Sequence, residues 1–339
     1  STGRRNTTSR ETATRTTRRR HYKIMKHIYI TACSKDGGIY HYTFADKKLT
    51  FCEKLPLDRA MYTVIRDKTA YILLRDTGNG EGGLVRYHIS DSGVLEDPDE
   101  VMPSHGVVPC HLCVKNDDVY LVNYLSGNVV KMPDRVVTHS GVGVNLPRQD
   151  APHTHFVTFS PDGKYLLCTD LGLDTVFVYD GELNEVSKAK VPAGSGCRHL
   201  CFGDNGRLVY CVNELSSDVS VFSFDNGKLE LLDTYEAIPD FEGRSTAAAI
   251  RLYNGFLYVS HRGADCISRF KVAGDGLELL ENTPCGGSDP RDFDIADNVL
   301  FCANEGGSIG IISLENGSPA LVDSVELSGD PLCVSFFEN

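Results

Sequence analysis

A unit of about 40 residues recurs along the chain, and no other feature restricts the fold as much. Each unit reads as four strand-like runs. The first starts near a Pro, Arg or His and ends in an apolar-polar-Phe pattern. The second follows a turn and ends in Asn, Asp or His. An alternating run such as VFVYD comes third, and a Leu-, Glu- and Val-rich run closes the unit. Full units span Met61–Met102, Val108–Thr138, Ala151–Val191, Cys197–Ile238, Thr246–Pro284 and Pro290–Leu327. His27–Leu57 holds only the last three runs, and Pro331–Phe337 supplies a lone first one. Joining the two ends completes a seventh unit. The prediction is an all-β fold, a seven-bladed β-propeller of four-stranded antiparallel blades whose closing blade is shared by both termini. Pairing the ends also removes the exposed edges that an open array would leave. An open solenoid or two sandwiches fit the unit length and the split unit less well. The WD40 pattern is excluded, because the chain has no Trp. The third unit shortens after VVKMPDR, which leaves its outer strand open.

The propeller domain is expected over residues 27–339, preceded by a disordered basic extension over residues 1–26. That opening stretch carries nine Lys and Arg against Glu11 alone, and its Ser1–Tyr22 part has almost no apolar residue and cannot bury enough surface to fold. Met25 reads as a natural start directly before the first strand. The formal net charge is −12 over 339 residues, so the body is more acidic than the total indicates. An acidic body argues against nucleic acid as a partner, since phosphate contacts need clustered cations. No apolar run is long enough to span a bilayer, and a cytoplasmic protein without a membrane partner is expected, a monomer or weak homo-oligomer.

The 12 cysteines do not form a disulfide pattern. Cys168, Cys211 and Cys302 stand where other units have Leu121 or Val259, so they read as buried free thiols. Cys110 and Cys113 form a single CxxC without a second pair, a weak metal signal.

Strand direction alternates within a blade. The loop entering the first strand and the loop leaving the second therefore open on one face. The first place holds Pro152-His153-Thr154-His155, Cys197-Arg198-His199, Thr246-Ala247-Ala248-Ala249 and Asp289-Pro290-Arg291. The second holds Asp170 to Asp174, Asn213-Glu214, His261-Arg262 and Asn304-Glu305. One end of the channel thus collects histidines, arginines and carboxylates, while turns such as SPDGK and GDNGR at the other end are ordinary turn chemistry. His155, Arg198, Glu214 and Arg262 are the candidates for chemistry. His153, His199, Asn213, Asp170 and Arg291 are the candidates for substrate contact. Plainer readings compete: Asp170, Asn213 and Asn304 share one repeat position and suit turn capping, and His199 suits a core histidine. Arg198 and Glu214 could form only a buried pair, whose attraction desolvation largely offsets. A pair kept beside a histidine and a second arginine suits a site better than a core.

No Gly-x-Ser-x-Gly elbow, phosphate loop or tight metal cluster occurs, so no metal is expected. Acid/base chemistry with cationic stabilisation remains. Glu214 or His155 can take a proton from water, and the arginines can hold an oxyanion, phosphate or carboxylate. A small anionic partner follows.

The segments HTHFVTFSPDGKYLLCTDLGLDTVFVYD, GCRHLCFGDNGRLVYCVNELSSDVSVF, AAAIRLYNGFLYVSHRGADCISRF and DPRDFDIADNVLFCANEGGS resemble the bacterial lactonase family of seven-bladed propellers. That family includes cycloisomerase-type 6-phosphogluconolactonases and is similar to fungal carboxymuconate-lactonising enzymes. The resemblance implies hydrolysis of 6-phospho-glucono-1,5-lactone, a sugar lactone of the pentose phosphate route, with no cofactor. Its proposed catalytic His, Arg, Glu and second Arg fall on His155, Arg198, Glu214 and Arg262. A muconate-type cycloisomerase and a non-catalytic propeller that binds an anionic ligand or a protein are the alternatives. Cys197, Ala249 and His261 depart from the family's usual Pro, acidic residue and Asn, and Ala249 is expected to remove a carboxylate from the site face.

Overall fold

A computed structural model describes Lys26–Ala45 and residues 47–338. Among the described residues there are seven antiparallel sheets and no α-helix. Six sheets have four strands, and all follow the unit boundaries expected from the repeat. The sheet that closes the ring runs in the order Pro331–Glu338, Lys26–Ala32, Gly38–Ala45, Lys48–Pro56. Its innermost strand comes from the C-terminal end, with Lys26 opposite Glu338 and Ala32 opposite Pro331. We number this sheet blade 1, and blades 2 to 7 follow in chain order. Lys26 therefore belongs to the propeller rather than to the expected extension, the rest of which lies outside the described residues.

Two blades depart from the simple unit. In blade 2 the outer strand is split into Leu95–Glu96 and Met102–Pro103, both paired with Gly83–Ile89. Asp97 has a positive φ of 49° and Pro98 has no N–H to donate, so the ladder breaks there. The uncertain outer strand of blade 3 forms at Arg135–Thr138.

Alternation along each strand glues neighbouring blades together. In blade 4, Val176 and Val178 face Leu200, Val209 and Phe222 of blade 5. Phe177 and Tyr179 point the other way, towards Tyr120 and Leu121 of blade 3. Thr175–Tyr179 is accordingly buried at every position, because both faces of the sheet are covered. The cysteines are free, and Cys168, Cys211 and Cys302 are buried in these layers, as expected for thiols in place of aliphatic side chains.

Candidate active site

Every blade carries the same irregularity at the start of its innermost strand. The register against the second strand breaks there, leaving Met61, Cys110, His155, Arg198, Arg291 and Leu332 unpaired, and both Ala248 and Ala249 in blade 6. A bulge re-aims the extra residue. Met61, Cys110, His155 and Arg291 line an axial cavity of about 230 Å³, and Arg198 and Leu332 line a narrow pocket beneath it.

A second ring comes from the residue after the last pair between the second and third strands. In blades 1 to 7 this is Cys33, Arg75, Tyr124, Leu171, Glu214, Arg262 and Glu305. Arg75, Tyr124, Glu214 and Arg262 line the same cavity. Two repeat positions thus converge on one end of the axis.

Glu214 is the hub. Its Oε2 is 3.0 Å from Arg198 Nε and 3.0 Å from Arg262 Nη2, and its Oε1 is 2.5 Å from Arg148 Nη2. Arg198 Nη1 also donates to the Ala248 carbonyl at 2.7 Å, and Arg262 Nη2 to that of Ala247 at 3.2 Å. Burial pushes the Glu214 carboxyl up, but the charges of Arg262 and Arg198 outweigh it and hold the group far below the usual range. Arg198 is only 2% exposed; burial and the nearby charge of Arg262 bring its guanidinium down to about 9, so it stays charged at neutral pH. Arg291 pairs with Glu305 at 3.1 Å.

His155 packs edge-on against His199, with ring centroids 5.3 Å apart, and its Nδ1 is buried without a partner. Burial, reinforced by the charge of Arg198, pushes His155 well below its ordinary value. His199 behaves likewise, with the same two causes leading. Both imidazoles are therefore neutral bases at pH 7.

The expected chemical set, His155, Arg198, Glu214 and Arg262, is brought together. Of the expected substrate contacts, Arg291 lines the cavity and His199 the pocket beneath it. His153, Asn213 and Asp170 do neither. The His153 ring stacks on Tyr124 at 4.5 Å, outside the cavity lining. Asn213 Nδ2 donates to Asp218 at 2.6 Å and Ser220 at 2.9 Å. Asp170 accepts the N–H groups of His153 at 2.8 Å and Leu173 at 3.2 Å. Asn213 and Asp170 end second strands, where short polar side chains tie down loops, so their role is positional.

The family of lactonases with a seven-bladed β-propeller matches residues 27–336. The chain belongs to this family. It is 34% identical over 347 aligned positions to an uncharacterised protein of Staphylococcus aureus strain bovine RF122, covering 92% of this chain and all of that one. Its fold matches a periplasmic gluconolactonase of Pseudomonas aeruginosa at 26% identity and a TM-score of 0.82, covering 92% and 99% of the two chains. It also matches a candidate 6-phosphogluconolactonase of Bacteroides uniformis at 25% identity and a TM-score of 0.84, over 93% and 100%.

Some lining residues of this lactonase were not visible from the repeat. Arg148 comes from the loop over residues 139–153 between blades 3 and 4, which is longer than the other described connections between blades. Gln149 beside it is fully buried and pins that loop, donating from Nε2 to the Leu171 carbonyl at 2.8 Å and Asp174 at 2.7 Å. Arg75 and Tyr124 are a different case: they occupy the ring position of Glu214 and Arg262, and the repeat register would have found them.

The departures from the family pattern lie behind the site. Ala249 packs with Tyr258 and Phe293 between blades 6 and 7, so a carboxylate at this position would not face the cavity, contrary to expectation. His261 is fully buried, and burial pushes it down to about 3. Cys197 is buried and donates from Sγ to the Asp170 and Thr175 carbonyls at 3.3 Å each. A roomier, more open depression of about 420 Å³ between blades 5 and 6 has, among the described residues, Glu236 and Arg244 as its only charged lining. It lacks the convergent charges of the axial cavity, so the chemistry is assigned to the latter.

Proposed function

We propose that this lactonase hydrolyses an anionic sugar lactone, with 6-phospho-D-glucono-1,5-lactone the best fit. The observation that carries the reading is the charge in the cavity. Arg75, Arg148, Arg262 and Arg291 line it, Arg198 lies beneath, and among the described residues Glu214 is its only lining acid. So much positive charge in a chain of net charge −12 serves an anion, through local attraction and charge-assisted hydrogen bonds. Among the described residues these five guanidiniums meet only two pairing carboxylates, Glu214 and Glu305, and an uncharged lactone would leave the surplus unmatched.

In the proposed reaction water attacks the lactone carbonyl while His155 takes its proton. The neutral imidazole suits this role better than Glu214, whose two oxygens are both held by guanidiniums. The carbonyl oxygen becomes an oxyanion stabilised by Arg198 and Arg262. Arg262 Nε is a buried donor without an acceptor, spare capacity for that charge. Collapse of the intermediate breaks the ring C–O bond, and the imidazolium returns the proton to the departing hydroxyl. Glu214 holds the guanidiniums in position.

The test is a screen of phosphorylated and unphosphorylated sugar lactones against a no-enzyme blank, with product analysis. Ring-opened acid formed above the blank supports hydrolysis. An isomerised product favours a cycloisomerase. Binding of 6-phosphogluconate with only background turnover favours a non-catalytic propeller.

A further inference from the structure

The arginines of the cavity are not equivalent. Arg148, Arg198 and Arg262 share Glu214, and Arg291 has Glu305. Arg75 lines the cavity with an exposed side chain, and among the described residues no carboxylate pairs with it. The nearest acid in sequence, Asp76, is taken by Arg59 at 3.0 Å.

The ring places Arg75 in a particular relation to the reacting groups. It stands on blade 2 and Glu214 on blade 5, as far apart as seven blades allow. Arg291, on blade 7, flanks blade 1 from the other side. Between them blade 1 contributes Cys33 and Leu332, which bring no charge. Burial pushes the Cys33 thiol up, and Arg75 and Arg291 both oppose it, so the two guanidiniums converge on this one blade. A guanidinium fork without a protein counter-ion, beside a second one, matches the oxygens of a phosphate or carboxylate.

We propose that Arg75, with Arg291, seats the anionic group of the substrate that lies farthest from the carbonyl attacked beside His155. This rests on the lactonase reading above and deepens it. The substrate spans the mouth: its reacting carbon lies at blades 4 to 6, and its terminal anion at blades 7 and 2. Arg75 is thus the residue that separates phosphorylated or dicarboxylate ligands from neutral-ended ones.

The experiment is calorimetric titration of wild type, Arg75→Gln and Arg75→Lys with 6-phosphogluconate, glucarate and gluconate, with melting curves as a folding control. Wild type is expected to bind 6-phosphogluconate roughly tenfold to a hundredfold more tightly than gluconate, the range for a charge-assisted hydrogen bond. Arg75→Gln should collapse that ratio towards one, and Arg75→Lys should restore part of it. Glucarate bound as tightly as 6-phosphogluconate, with the same loss in Arg75→Gln, would assign the seat to carboxylates as well. A ratio that Arg75→Gln leaves unchanged overturns the seat, even if lactone hydrolysis is found. Discrimination lost in Arg75→Gln, in a protein that hydrolyses no lactone, upholds the seat and refutes the reaction.

Discussion

Replacing Glu214 by Gln would remove one negative charge from the centre of three guanidiniums without changing the packing volume. Arg198 and Arg262 have side chains only 2% and 14% exposed, so neither can turn to bulk water. Arg148 is 36% exposed, and its share is discounted for solvent screening. Breaking a buried pair by removing one partner costs about 3–5 kcal/mol. For a chain of this size that corresponds to roughly 5–8 °C in melting temperature. The assay is thermal unfolding by circular dichroism at pH 7 in a low-anion buffer. Added phosphate should recover part of the loss, and more in Glu214→Gln than in wild type, because an anion in the cavity can offset the guanidinium charge that Gln leaves uncompensated. Turnover should fall by about a hundredfold or more, because the guanidiniums that stabilise the oxyanion lose their fixed position. A variant that melts within 1–2 °C of wild type, on roughly the same scale, would refute the picture of Glu214 as a buried clamp.

Other consequences are separate. Buried His111, His155, His199 and His261 have folded pKa values below 6.5, so the unfolded chain binds more protons, and stability is lost as pH falls below about 6.5. For His261, pushed down to about 3, the loss at pH 5 is about 2 kcal/mol, and melting temperatures measured at pH 7 and pH 5 should show a clear fall. Deleting residues 330–339 removes the inner strand of blade 1, and no cooperative melt is expected; an unchanged melting curve would contradict the shared blade. Arg148→Gln should change stability by less than about 1 kcal/mol and raise KM for an anionic lactone several-fold, as steady-state kinetics would show.

The ring was legible because the repeat has a clear period and the chain begins and ends in mid-unit. Arg198 and Glu214 were legible because a hairpin fixes which residues meet. The bulge that forms the first ring was not, because it leaves no sign in the hydrophobic alternation. His155 and Arg198 looked like loop-edge residues, when it is the bulge that turns them into the channel. His153, Asn213 and Asp170 were drawn into the site by position on the same face. A face is broader than a cavity, and these side chains are spent on backbone and neighbouring groups. Arg148 carried no periodic signal, since it lies in a connection much longer than most of those between the other blades.

The initial rate of acid release from 6-phosphogluconolactone, followed by pH-stat against the spontaneous rate, tests the central claim most directly. The wild-type protein should exceed the blank, and Glu214→Gln should return close to it. A wild-type rate equal to the blank for this and every other sugar lactone would show that the converging arginines, histidine and carboxylate do not form a lactone-opening site.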